Sequence, residues 1–168
     1  MSFDSTARMA GFALAHAAWG VHEAPAGELL TPFLLVDDGG TRELMRFELE
    51  TQDQAIAEGK RAVDSLAGRV DAWAFAREGL LRMLQGTEST QHVLAVEFGR
   101  REGEGRYAVI QPYRPAADPA GFGLQGAPMV LRDGQVVGAE DAERVMRSVR
   151  GGIGDHPAAA PLWDPWTG

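Results

Sequence analysis

The sequence predicts a single α+β domain in which helices pack on one mostly antiparallel β-sheet. Three observations predict this class: the chain has 168 residues, apolar residues make up 45% of it, and short turns join most of its strand-like runs. This length fits one domain. The short connections favour antiparallel pairing, because a parallel step needs a crossover of about a dozen residues. We expect about five strands plus a small hairpin and two or three helices, in the order α-ββ-α-βββ-(ββ)-α.

Residue spacing predicts the first helix and the strand hairpin that follows it. Ser5 can cap a helix that runs to about Trp19, and Gly20 is expected to end it. Residues 31–36 have the length and composition of a strand, and the acidic and glycine residues at 37–40 are typical of a turn. In the partner strand, polar residues alternate with three that should face the core: Met45, Phe47 and Leu49.

A capping-box pattern predicts where the second helix begins. Thr51 and Gln54 can each satisfy the other's free backbone N–H, and the apolar stripe of the helix ends just before Gly68. Residues 70–84 leave an alternative, because their apolar spacing could extend the same helix. We prefer a strand at 70–77, since each glycine inside a longer helix would weaken it by about 1 kcal/mol.

The second half of the chain predicts two hairpins and a last helix. Residues 92–98 and 107–113 are rich in valine and aromatic side chains and flank a charged loop, which predicts a β-pair. Residues 112–128 are rich in proline and glycine, so we expect an ordered loop there. Asp133-Gly134 between two short apolar runs predicts a small hairpin. A helix over 140–150 should end at the glycine pair that follows it.

The predicted domain covers residues 1–152, and residues 153–168 form a C-terminal tail. The tail is rich in proline and carries Trp163 and Trp166. Its apolar residues have too little periodicity to predict a helix or a strand. Indole side chains are costly to leave in water, so we expect the tail to pack on the domain or on a partner.

Composition and charge exclude several classes of function. The 16 basic and 24 acidic residues give a formal net charge of −8. Nucleic acid is therefore not an expected partner, because binding to phosphates needs a basic face. The absence of cysteine excludes disulfides and thiolate chemistry. With no signal-peptide pattern and no apolar run of bilayer length, we expect a cytoplasmic protein without a membrane partner. A single lysine, Lys60, beside abundant arginine is typical of a GC-rich bacterial genome.

The motif-like stretches predict no cofactor, no catalytic residue and no resident metal. Residues 121–126 match GxGxxG, but a strand follows them where a phosphate-binding helix N-terminus would be needed. His16, His22 and Glu23 are acceptable metal ligands, yet a six-residue spacing places the two histidines on different faces of a helix. Whether a metal binds these three residues is left open.

The leading hypothesis is a non-enzymatic protein-interaction or scaffold domain that forms a homodimer or binds another protein. An antiparallel sheet has edges that need covering, and the sheet or its helical face would present the interface. Trp163 and Trp166 would anchor this interface, because tryptophan is enriched at binding hot spots. Tyr113 and Phe122 are secondary candidates.

The alternative hypothesis is a small-molecule-binding protein or an enzyme without a recognisable motif. Long ordered loops in compact domains often cover binding sites, so the site would lie under the loop at 112–128. Its polar groups would be His92, Arg114 and Asp118.

Overall fold

One antiparallel sheet of eight strands organises the part of the chain that the computed structural model describes, residues 1–25, 28–82, 90–103 and 105–168. The elements are α1 (Phe3–His22), β1 (Phe33–Asp38), β2 (Thr41–Arg46), α2 (Gln52–Leu66), β3 (Ala72–Arg82), β4 (Thr90–Arg100), β5 (Tyr107–Arg114), β6 (Gly123–Leu124), β7 (Met129–Arg132), β8 (Gln135–Val136), α3 (Ala139–Asp155) and α4 (Ala160–Thr167). The strand order is β2-β1-β3-β4-β5-β7-β8, and β6 pairs with the end of β5. The predicted α+β class is confirmed, with more strands than expected.

Two helices cover one face of the sheet. α1 packs on β3 and β4 and runs along α3, and most of its alanines are buried in the main core. The two helix backbones nearly touch. A Cβ atom at Gly11 would lie 1.9 Å from the carbonyl oxygen of Val149, and one at Gly152 would lie 1.7 Å from that of Arg8. Glycine is therefore required at both positions of this crossing.

The opposite face of the sheet is covered only in part. α2 packs over β1 and β3, where Leu34, Trp73 and Phe75 form a second apolar cluster with Val63 of the helix. α2 lies so close that a Cβ atom at Gly59 would be 2.3 Å from the ring of Phe75. In the described residues, no helix covers the same face of β5, β7 and β8.

Several local predictions are confirmed. Thr51 and Gln54 form the complete capping box at the start of α2. The stretch at 70–84, which could have extended the second helix or formed a strand, contains strand β3. Asp133 and Gly134 have φ angles of 49° and 82°, as the tight turn between β7 and β8 requires.

The predicted ends of α1 and the last helix are wrong. Ser2 rather than Ser5 caps α1, since the Ser2 hydroxyl accepts the N–H of Ser5 at 3.1 Å. α1 continues through Gly20 to His22, and α3 continues through the glycine pair to Asp155. Glycine weakens a helix by only about 1 kcal/mol, so close packing of these helices outweighs it.

The tail contains a helix, which corrects the prediction that it holds no regular element. α4 follows α3 after a short turn, and Pro161 lies in its first turn, where a missing N–H costs nothing. Trp163 and Trp166 lie nearly one turn apart and pack against the main core. These tertiary contacts hold a segment that is too short to show periodicity.

Two strand predictions also need correction. Leu49 was expected in the core, but β2 ends at Arg46 and Leu49 is 51% exposed. The loop predicted from 112 begins later, because Pro112 lies within β5. Its carbonyl accepts the N–H of Gln125 at the strand edge away from β4. The proline nitrogen faces the same edge, so no hydrogen bond to β4 is lost.

Candidate interaction surface

The side chains of β5 separate into two sets. Tyr107, Val109 and Tyr113 are buried in the main core under the helices. The side chains between them, including Ala108 and Ile110, are half-buried on the opposite face. A strand with one solvated face usually carries polar side chains on that face. The outer side of β5 is instead apolar.

The strand register extends this apolar surface across the neighbouring strands. Met129 and Leu131 lie opposite Ile110 and Ala108, and Val136 lies opposite Leu131. Met129 is 36% exposed and Val136 is 68% exposed. We call this surface the open face, and it comprises Ala108, Ile110, Pro112, Met129, Leu131 and Val136. Exposed apolar patches of this kind are often sites where another molecule binds.

One ion pair lies beside the open face. The register places Arg77 and Glu97 on the same side of the sheet, with Nη2 of Arg77 3.8 Å from Oε1 of Glu97. The Arg77 guanidinium lies close to Gly79, where an added Cβ atom would be 3.4 Å from Nη1, and its buried Nε has no hydrogen-bond partner among the described residues. Both side chains remain partly exposed. The Arg77–Glu97 pair therefore places a cation and an anion next to each other at the border of the open face.

The four residues predicted to anchor an interface are brought together in an aromatic cluster on the helical side of the sheet. The ring centroids are 5.9 Å apart for Tyr113 and Phe122, 5.1 Å for Phe122 and Trp166, and 6.1 Å for Trp163 and Trp166. His22 contacts Trp166 at 5.2 Å. The cluster fastens α4 and the proline-rich loop to the domain. Its role in binding a partner remains a prediction.

A buried carboxylate, that of Glu78, forms a hydrogen bond with Tyr113 of the aromatic cluster. Glu78 accepts the backbone N–H of Leu30, which ties the segment before β1 to β3. Burial, and then the charge and hydrogen bond of Glu78, raise the pKa of Tyr113 well above its usual value. Tyr113 therefore stays a neutral hydrogen-bond donor under ordinary conditions.

The alternative site residues do not converge. The ring of His92 lies 5.7 Å from that of Tyr113. Arg114 donates from Nε to the carbonyl of Gly121 at 2.6 Å, and Asp118 accepts the N–H of Ala120 at 2.9 Å. These bonds of Arg114 and Asp118 shape the loop itself, and the structure gives no direct contact among the three predicted residues.

The two α1 histidines have different partners. Nδ1 of His16 lies 3.1 Å from Nε2 of His156. Nδ1 of His22 instead contacts the carbonyl oxygen of Trp19, and the two ring centroids are 4.4 Å apart at a tilt of 32°. Burial is the first cause that lowers the pKa of both His16 and His156. Among the described residues, no group of three or more histidine or acidic side chains could hold a metal ion.

The chain matches no protein-family model, and comparisons with curated proteins and with solved structures return no match. Within the ranges described, no helix has both the length and the apolar character needed to cross a bilayer. The exposed surface of the fold is therefore the feature from which a function can be proposed.

Proposed function

We propose that the protein is a homodimerising interaction domain and that a second copy packs on the open face. The observation that carries this proposal is the apolar outer side of β5, β7 and β8, where a solvated sheet would carry polar side chains. Two sheets can pack face to face at a separation of about 10 Å, with their apolar side chains interdigitating.

The charges beside the open face favour a second copy over an unrelated partner. In a two-fold interface the same patch meets itself, so a cation on one copy can face an anion on the other. Arg77 and Glu97 supply one of each sign on the same side of the sheet. Each copy carries a formal net charge of −8. A contact patch whose own charges cancel limits the repulsion between two such acidic chains.

Ile110→Glu is expected to abolish the dimer. The position is partly exposed in one chain, so the carboxylate can reach water in a folded monomer. In the dimer it would be buried without a partner, and we expect dimerisation to weaken roughly 100-fold or more. Sedimentation velocity should show the unmodified chain at twice 18.1 kDa and the variant at 18.1 kDa.

Leu44→Glu is the matched control, because Leu44 is a 40% exposed leucine of β2 outside the open face. This variant should remain dimeric. Val136→Glu provides a second test at a position that is 68% exposed and tolerates charge in the monomer. A folded Ile110→Glu or Val136→Glu variant that dimerises as tightly as the unmodified chain would contradict the proposal.

A further inference from the structure

We propose that the cleft between the C-terminal half of α1 and the β1–β2 hairpin binds a small zwitterion, an α-amino acid with an apolar side chain. The cleft has a volume of about 410 Å³. His16 and Trp19 line it from α1, and Phe33 and Arg46 line it from the two strands. No residue of the open face lines this cleft, so the inference stands apart from the proposed function.

The hydrogen bonds around His16 leave one donor free for a ligand. Nδ1 of His156 accepts the N–H of Ala159 at 3.0 Å, so the proton of neutral His156 is on Nε2. This Nε2–H donates to Nδ1 of His16 at 3.1 Å. The proton of neutral His16 must then be on its own Nε2, which has no partner in the described chain and is not a buried unsatisfied atom.

Arg46 supplies a positive charge next to this donor. Its charge is close enough to contribute to the lowered pKa of His16. No ion pair or hydrogen bond engages Arg46 in the part of the chain that the structure describes. A guanidinium and an N–H donor on facing walls suit a carboxylate, since charge-assisted hydrogen bonds are the strong ones.

The remaining cleft residues suit the rest of such a ligand. Glu28 and Glu48 are exposed acids of the lining that no cation of the described residues pairs with, whereas Oε1 of Glu23 lies 3.3 Å from Nε2 of His22. The free acids can accept an ammonium group. The indole of Trp19 and the ring of Phe33 offer apolar walls for a side chain. A ligand with only a carboxylate would give Glu28 and Glu48 no cation to bind. A ligand with only an amine would give Arg46 and His16 no anion to bind.

Calorimetric titration with three probes of similar size tests this inference. L-phenylalanine carries both charged groups, phenylpropionate only the carboxylate and phenethylamine only the ammonium. We expect L-phenylalanine to bind saturably and each single-charge probe to bind at least about tenfold more weakly. No saturable binding of L-phenylalanine, or equal or tighter binding of either single-charge probe, would overturn the inference.

Arg46→Gln separates this site from general binding to the surface. Arg46 is exposed and has no partner among the described residues, so the variant should melt like the unmodified chain. Its affinity for L-phenylalanine should fall about tenfold or more. Arg42→Gln is the control, because Arg42 lies on the same strand, pairs with Asp37 at 3.7 Å and does not line the cleft. Equal loss in the two variants, or no loss in Arg46→Gln, would contradict the assignment of Arg46.

Discussion

Gly152→Ala is expected to lower the free energy of unfolding by about 3 kcal/mol and the melting temperature by roughly 6–12 °C. Alanine is the better helix former, so local propensity alone predicts a gain. The added Cβ would lie 1.7 Å from the carbonyl oxygen of Arg8 and 2.8 Å from the nitrogen of Phe12. Both are backbone atoms of α1, which cannot rotate away as a side chain can. The two helices must therefore separate over their length of contact, which opens the main core.

Gly154→Ala on the same helix is the matched control. A Cβ there meets nothing within 4 Å, and the residue is exposed. This variant should be more stable by about 0.5–1 kcal/mol. Thermal unfolding followed by circular dichroism distinguishes the two. Equal stability of both variants would show that α1 and α3 do not cross as closely as described.

Acidification is expected to destabilise the fold between about pH 7 and about pH 5. The pKa of both His16 and His156 is lowered from the ordinary 6.5, His16 by burial and then by the charges of His156 and Arg46, and His156 by burial. The unfolded chain therefore takes up protons at a higher pH than the folded chain. Stability is full above that range and falls as the pH drops through it. Each such histidine changes the free energy of unfolding by at most about 1.4 kcal/mol per pH unit.

The two histidines should contribute unequally. His156 is only 5% exposed and accepts the N–H of Ala159, so a proton on Nδ1 removes a hydrogen bond at the junction of α3 and α4. His16 lines the cleft, where solvent reduces its share. Chemical denaturation should give a clearly lower free energy of unfolding at about pH 5 than at about pH 7.

His16→Gln should reduce that pH dependence, because it removes one titrating group of the pair. His92→Gln is the control, since His92 lies in β4 against Tyr113 and does not touch the pair. This variant should keep the pH dependence of the unmodified chain. A His16→Gln variant with unaltered pH dependence would contradict the role given to the histidine pair.

Local signals predicted most of the elements, because they depend on neighbouring residues. The capping box of Thr51 and Gln54 and the turn at Asp133-Gly134 need only a few adjacent side chains, and both are present. The C-terminal end of α1 depends instead on distant parts of the chain, since His22 contacts Trp166 of α4. Gly20 would end an isolated helix, but it lies inside one that its neighbours stabilise.

The open face was harder to predict, because it depends on where a helix stops covering the sheet. The β5 sequence is apolar on both faces, a pattern typical of a strand covered on both sides. Among the described elements, α2 packs mainly on β1 and β3, and spacing along the chain does not determine that lateral position. The apolar residues Ala108 and Ile110 nevertheless indicate a strand face that is stable only when another surface packs on it.

The histidine pair shows a second limit of sequence reasoning. His16 and His156 are 140 residues apart, and no periodicity links them. The sequence analysis considered His16 only together with His22 and Glu23, as possible metal ligands within one short stretch. The fold instead places His156 there, because α3 runs along α1.

Thiol cross-linking tests the dimer through the open face most directly. The chain has no cysteine, so a single substitution introduces a unique thiol. Leu131→Cys places it on the open face, and Leu44→Cys places it on β2 at the other end of the sheet. With a short bismaleimide, we expect a covalent dimer from Leu131→Cys and monomer from Leu44→Cys. Efficient cross-linking of Leu44→Cys alone, or of neither variant, would contradict the account.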